Sequence, residues 1–169
     1  MIVLETARQT LRWLSIDDAP FIVELLNDPA WLRFIGDRGV RTLEDARKYI
    51  LNGPLSMIER HGFGLYLAQR KSDATPMGIC GLIKRDSLDD VDIGFAYLPQ
   101  FCRHGYAFEA AASVMVHGKR TFGLTRIVAI TSPDNEGSIK LLEKLGLKFE
   151  RMLRLPTDDD ETMLFAWNA

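Results

Sequence analysis

Cysteine and histidine are scarce in this chain, and the few present are scattered. The two cysteines, Cys80 and Cys102, lie far apart and form no CxxC pair, so neither a disulfide framework nor a zinc site is expected. The three histidines, His61, His104 and His117, show no ligand spacing. No charge of one sign predominates: the net charge is −2, which excludes a global attraction to nucleic acid and leaves any anion site to local geometry. No apolar run approaches membrane-spanning length, and no cationic segment followed by an apolar run opens the chain. The expected compartment is the cytoplasm. Two phosphate motifs are also missing, the P-loop ending in Lys-Ser or Lys-Thr and the three-glycine dinucleotide fingerprint. There is no internal repeat, low-complexity tract or linker.

What remains is ordinary for one globular domain spanning residues 1–169. Hydrophobic residues make up 47% and charged residues 26%, and 169 residues suffice to bury a core. The chain is organised around Pro99 to Phe122, where the loop Gln100-Phe101-Cys102-Arg103-His104-Gly105 opens into an alanine-rich helix. Val91 to Leu98 before it, and Arg126 to Thr131 after Gly123, are apolar and β-rich, which makes one βαβ unit. A helix beginning at such a turn points unpaired N–H groups outward at the positive end of its dipole, a ready site for phosphate. Gly105 allows close backbone approach, Ala107 keeps the first turn free of bulk, and Arg103 adds a charged fork. By itself the pattern also describes an ordinary tight βα turn.

The rest of the chain supplies a frame for that unit. Thr10 to Leu14 reads as a first strand, with Ser15 capping a helix that Asn27-Asp28-Pro29 stops. Trp31, Phe34 and Ile35 fall in a stretch expected to be irregular, where aromatics serve as core plugs. Thr42 caps another helix, which Asn52-Gly53-Pro54 ends or interrupts before a further turn at Leu55 to Ile58. Gly64–Gln69 and Met77–Lys84 form an antiparallel hairpin that continues into the βαβ unit. A helix from Pro133-Asp134-Asn135 through Lys144 ends at Gly146. Lys148–Leu153 and Glu161–Trp167 make a last hairpin around Pro156 to Asp160.

Ile93-Gly94-Phe95, Cys102-Arg103-His104-Gly105-Tyr106-Ala107-Phe108-Glu109-Ala110 and Gly123 to Ala129, in this order and spacing, resemble the core of the GNAT family of acetyl-CoA-dependent N-acetyltransferases. Asn135-Glu136-Gly137-Ser138, then Leu145-Gly146-Leu147, extend the resemblance. With Thr6-Ala7-Arg8 to Leu14 it is similar to the branch of ribosomal-protein N-terminal acetyltransferases. The resemblance implies an α/β (α+β) fold: a central mixed, mostly antiparallel sheet, helices on both faces, and a splayed strand pair that receives acetyl-CoA. It implies acetyl transfer to a primary amine, either a protein N-terminus or a small amine, through a ternary complex. No metal is implied, and a homodimer is a family-level expectation. Within the family the stretch of Trp31 to Ile35 resembles an acceptor-side wall.

Carried onto these positions, the resemblance gives the N–H groups of Arg103, Gly105, Tyr106 and Ala107 to the pyrophosphate, with His104 beside them. The strand from Phe95 to Leu98 would part from the strand at Ile127, and the pantetheine arm would pair with its unpaired backbone groups. Pro99, lacking an N–H, fits the place where pairing stops. An N–H near Tyr97 would face the thioester oxygen, and one such donor is worth about 3–4 kcal/mol in the transition state. The loop departs from the family pattern at its front, where Cys102 and Arg103 stand; Cys102 is either a nucleophile or a packing residue.

Asp92 is the candidate base. It shares a strand face with Gly94, Ala96 and Leu98, where desolvation would raise its pKa; the alternative is an ion pair with Lys84 or Arg85. Many relatives place an acidic tyrosine where this chain has Leu142. Ser138 is then the candidate acid and Asn135 the anchor for pantetheine, the alternatives being a first-turn residue and a helix cap. Two further readings stay open, a non-catalytic CoA-binding module and a peptide-binding interaction domain.

Overall fold

The computed structural model describes residues 1–156 and 160–169. It begins with a hairpin, Ile2–Glu5 (β1) against Gln9–Arg12 (β2), whose turn is closed by Thr6 N–H on the Gln9 carbonyl at 2.9 Å. The sequence pattern predicts a first strand at Thr10 to Leu14; the structure has that strand at Gln9–Arg12 and a further one, β1, before it. β1 is an edge strand with little burial, so its residues lack the apolar alternation that marks a half-buried strand.

Ser15 caps a short 3₁₀ turn, Ile16–Asp18, in a capping box with Asp18, and this leads into Ala19–Leu26 (α1). The stretch expected to be irregular is a helix, Pro29–Phe34 (α2). The same Asp-Pro pair that stops α1 starts α2: Asp28 accepts from Ala30 N–H, and Pro29 occupies the first turn, where no N–H is needed. Thr42 and Asp45 form the expected capping box for Leu43–Ile50 (α3). Pro54 lacks the N–H that an α-turn needs, and Leu51–Leu55 loosens into a π-helical stretch before Ser56–His61 (α4).

Leu65–Arg70 (β3), Pro76–Ile83 (β4) and Asp92–Tyr97 (β5) form an antiparallel meander next to β2. Tyr106–Thr121 (α5) crosses back to Arg126–Thr131 (β6), which runs parallel to β5. Glu136–Lys144 (α6) ends at Gly146, whose φ of +93° suits the position after a helix cap. Lys148–Leu153 (β7) and Thr162–Asn168 (β8) pair antiparallel, with β8 placed against β6. The tip of this hairpin, expected at Pro156 to Asp160, falls partly outside the described residues. The full order is β1-β2-β3-β4-β5-β6-β8-β7, a mostly antiparallel eight-stranded mixed sheet with helices.

The sheet separates two apolar layers. On one face Ala110, Ala111 and Val114 of α5 pack on Tyr66, Cys80, Leu82 and Ile93. Small residues along that side of α5 bring its axis close to β4: a Cβ at Gly118 would stand 3.1 Å from Leu82 Cδ1. On the other face α1, α2 and α3 contribute Ile22, Leu25, Trp31 and Ile50 over Leu67, Ile79 and Leu98. Each fully buried aliphatic side chain here contributes about 1.5–3 kcal/mol of transfer free energy. These two layers fix β5 between the start of α5 and the helices of the first fifty residues.

Candidate active site

Strands β5 and β6 pair only at their beginnings. Their register contains the single partner pair Asp92 and Val128, supported by Val128 N–H on the Val91 carbonyl at 3.0 Å. Beyond that point β5 remains paired with β4 through to Leu98, whose N–H donates to Met77 at 2.9 Å. Antiparallel pairing alternates, so Ala96 and Leu98 turn their backbone groups to β4 while Phe95 and Tyr97 turn theirs toward the β6 side. The backbone of Phe95 and Tyr97 therefore borders an opening in the sheet.

The opening leads directly to the start of α5. Arg103 has φ +65° and Gly105 has φ +80°, and these two left-handed residues turn the loop into the start of α5. The N–H groups of Arg103, Gly105, Tyr106, Ala107 and Phe108 reach no acceptor among the described residues, and Gly105 provides no side-chain cap. They lie at the positive end of a 16-residue helix. The loop is held from behind by the first hairpin. Arg8 Nη1 donates to the His104 carbonyl at 2.9 Å, and Gln9 Nε2 donates to the Tyr106 carbonyl at 2.9 Å.

Glu109, one turn into α5, collects donors from that hairpin. It accepts from Thr6 Oγ1, from Arg8 N–H at 3.1 Å, from Arg8 Nε at 2.8 Å and from Gln9 Nε2 at 3.3 Å. Burial alone would raise its pKa, but the donors of Thr6, Arg8 and Gln9 outweigh that and bring it down to about 2. Along the sequence Thr6, Arg8, Gln9 and Glu109 carry only the family resemblance. Their joint role was not legible there, because a hundred residues separate the partners.

A cavity of about 860 Å³ joins these features. On the α5 side its wall includes Phe95, Tyr97, Arg103, Gly105, Tyr106, Ala107, Asn135 and Ser138. On the opposite side it includes Trp31, Phe34, Arg38, Tyr49, Arg85, Gly94 and Ala96. One space thus reaches both faces of the sheet through the gap between β5 and β6.

The predicted site residues fall within it unevenly. Tyr97 contributes backbone, since its buried hydroxyl donates to Gln9 Oε1 at 2.7 Å. His104 is exposed on the loop with its ring 6.1 Å from that of Tyr106. Asn135 caps α6, its Oδ1 accepting from Ser138 N–H at 3.2 Å, and it lines the cavity as well. The cap uses only the amide oxygen, which leaves Nδ2 available. Leu142 is buried and offers no hydroxyl. Cys102 donates its thiol toward the Leu98 and Tyr97 carbonyls at 3.6 and 3.8 Å, and burial raises its pKa, so it carries a neutral thiol.

Asp92 is 1% exposed and does not reach the cavity wall; its partner Arg85 does. Arg85 Nε lies 3.2 and 3.3 Å from the two carboxylate oxygens. Burial pushes the Asp92 carboxyl up to about 6, against the pull of Arg85. Asp92 and Ser138 stand on opposite faces of the sheet and are not brought together. Among the described residues no group of three or more His, Cys, Asp or Glu side chains is placed to hold a metal. No helix among them is long and apolar enough to cross a membrane.

Comparison with known proteins gives the same outline. The family model described as "Acetyltransferase (GNAT) domain" matches residues 8–148. A Bacillus subtilis (strain 168) protein named "Uncharacterized N-acetyltransferase YoaA" is 29% identical over 154 residues, covering 90% of this chain and 86% of that one. The crystal structure of an acetyltransferase from Agrobacterium tumefaciens str. C58 superimposes with a TM-score of 0.85 at 21% identity, over 100% of this chain and 95% of that one. RimL, a ribosomal L7/L12 alpha-N-protein acetyltransferase solved in complex with coenzyme A, superimposes with a TM-score of 0.83 at 19% identity, over 99% and 98% of the two chains. The structural likenesses show a shared fold, and the family model spans most of the sequence, so this chain belongs to the GNAT acetyltransferase family, a family of acyltransferases.

Proposed function

We propose that the protein moves an acetyl group from acetyl-CoA to a primary amine while both are bound. The observation that carries this reading is the single cavity that crosses the sheet where β5 and β6 part. A donor on the α5 side and an acceptor on the α1–α3 side would meet in that gap without any residue having to carry the acetyl group. In the reaction the C–N bond forms as the C–S bond breaks, the amine loses a proton, and the sulfur leaves as a thiolate that takes one up.

The residues fit the CoA moiety. The N–H groups of Arg103, Gly105, Tyr106 and Ala107 would hold the diphosphate, with the Arg103 side chain and His104 beside it. Backbone groups of Phe95 and Tyr97 would pair with the pantetheine amides, as an added strand pairs with an open sheet edge. Asn135 Nδ2 would anchor the same arm. Tyr97 N–H, fixed by its strand, would donate to the carbonyl oxygen as negative charge develops there.

Proton handling is divided between the faces. An α-amino group has a pKa of about 8, so removing its proton needs only modest help. Asp92 would take that proton through water, since its carboxyl titrates near 6 but stands behind Arg85. Ser138, on the cavity wall beside α6, would deliver a proton to the departing thiolate. A thiol's ordinary pKa of about 8.5 makes this step helpful but dispensable, which agrees with the apolar Leu142 nearby.

Acetyl-CoA titration by calorimetry, followed by thiol release with a panel of primary amines, tests the reading. Binding with amine-dependent thiol release is expected. Binding without release on any amine would leave a CoA-binding module instead.

A further inference from the structure

The acceptor lobe of the cavity is lined by residues whose hydrogen-bond donors the protein itself leaves unused. Trp31 is 6% exposed, lines the cavity, and its Nε1–H is, among the described residues, the one buried side-chain polar atom without a partner. A buried donor left unmade is costly and asks for an acceptor from outside. Arg38 lines the same lobe and makes no ion pair among the described residues. Its neighbour Asp37 is taken by Arg41 at 2.6 Å. Tyr49 lines the same cavity, and burial raises the pKa of its phenol against the opposing pull of Arg38 and Arg85.

Of the carboxylates nearby, one is paired with a cation and the other caps a helix. Asp92 is engaged by Arg85, and Asp28, which reaches the cavity wall, accepts from Ala30 N–H at 3.1 Å as the cap of α2. The wall therefore offers an indole N–H, an unpaired guanidinium and a protonated phenol. It matches a compact anion with planar oxygen acceptors better than a second cation.

We propose that this lobe recognises a carboxylate, and that the acceptor is a small primary amine of the amino-acid class. Its carboxylate lies on Trp31 Nε1–H and the Arg38 guanidinium, and its amine turns toward the gap between β5 and β6. A protein N-terminus presents an amide at that position and would leave the guanidinium without its counter-charge. The fate of the amine rests on the acetyl-transfer reading above; the recognition of the carboxylate rests on the wall of the lobe alone.

The test separates the two. CoA-saturated protein is titrated calorimetrically with glycine, L-alanine, L-methionine and L-phenylalanine, and in parallel with their carboxamides. At least one acid is expected to bind tenfold or more tightly than its amide. Arg38→Gln, at an exposed position, and Trp31→Phe should each reduce that preference to threefold or less while CoA affinity stays unchanged. Equal or tighter binding of the amides, no detectable binding of any acid, or an undiminished preference in Arg38→Gln would overturn the carboxylate site. Thiol release from acetyl-CoA is then followed with the same compounds. Release with amides and acids alike would preserve acetyl transfer and remove this inference. Acid-selective binding without release would do the reverse.

Discussion

The hydroxyl of Tyr97 donates to Gln9 Oε1 at 2.7 Å, tying the open end of β5 to β2. The same glutamine passes the connection on, since its Nε2 donates to the first carbonyl of α5 at Tyr106. Both termini of the loop that faces the cavity are therefore anchored to one side chain. Burial holds the Tyr97 phenol well above its ordinary pKa, so it stays a donor across the working pH range. The bond also settles which part of Tyr97 is available for chemistry: the side chain is committed to the fold, and the backbone faces the gap.

Replacing Tyr97 by Phe should destabilise the protein by about 1–3 kcal/mol, because Gln9 is fully buried and its Oε1 would lose its donor. Acetyl-CoA affinity should stay within threefold of wild type, as the backbone that borders the gap is unchanged. Urea unfolding and calorimetry measure the two quantities separately. A large loss of affinity with unchanged stability would mean that the hydroxyl serves the ligand.

Glu109→Gln should show a stability defect that depends on pH. The folded pKa of Glu109 lies below its ordinary 4.5, so the ionised form is favoured by folding. The stability it contributes is fully present above pH 4.5 and is lost as pH falls toward about 2. The difference in urea midpoint between wild type and Glu109→Gln should be constant above that window and narrow within it. A gap that stays constant down to pH 2 would show that the charge of Glu109 is not what the hairpin grips.

Asp92→Asn should lower kcat at least tenfold while leaving acetyl-CoA Kd nearly unchanged, and should remove a rate limb near pH 6. A variant with the wild-type pH–rate profile would take Asp92 out of the mechanism and leave it as the partner of Arg85. Stability gives an independent check. Its folded pKa is raised above the ordinary 3.8, so wild type loses stability as pH rises from there through about 6, and the asparagine variant should lack that slope.

Gly105→Trp should abolish acetyl-CoA binding by filling the space over the start of α5. Even a Cβ at this position would stand 3.3 Å from Arg8 Nη2, and φ +80° is a conformation that side-chain-bearing residues rarely adopt. Circular dichroism confirms that the variant is folded, and calorimetry reads the affinity. Wild-type affinity in a folded variant would place the diphosphate elsewhere.

Much of the frame was legible because it depends on local chemistry. The turn at Arg103 to Gly105, the alanine-rich helix after it and the flanking strands are marked by glycine, by helix propensity and by an apolar, β-rich composition. Capping at Thr42 was plain, since a cap is set by residues within one turn; Asn135 reads in the sequence as a cofactor anchor with the cap as the alternative, and it caps α6. Local rules failed at α2 and β1. Asp28-Pro29 signals both a stop and a start, and an exposed edge strand carries no alternation.

The chain's own order of residues determined the family core and the strand–loop–helix unit with Gly105 at its turn, all of which follow from neighbours along the backbone. Only the tertiary structure decided that Gln9 and Glu109 clamp that loop, that Asp92 sits behind Arg85, and that Trp31 and Arg38 share a wall with Tyr49. Those relations join residues from separate elements. They are fixed by how the sheet separates its two apolar layers, and no spacing along the chain records them.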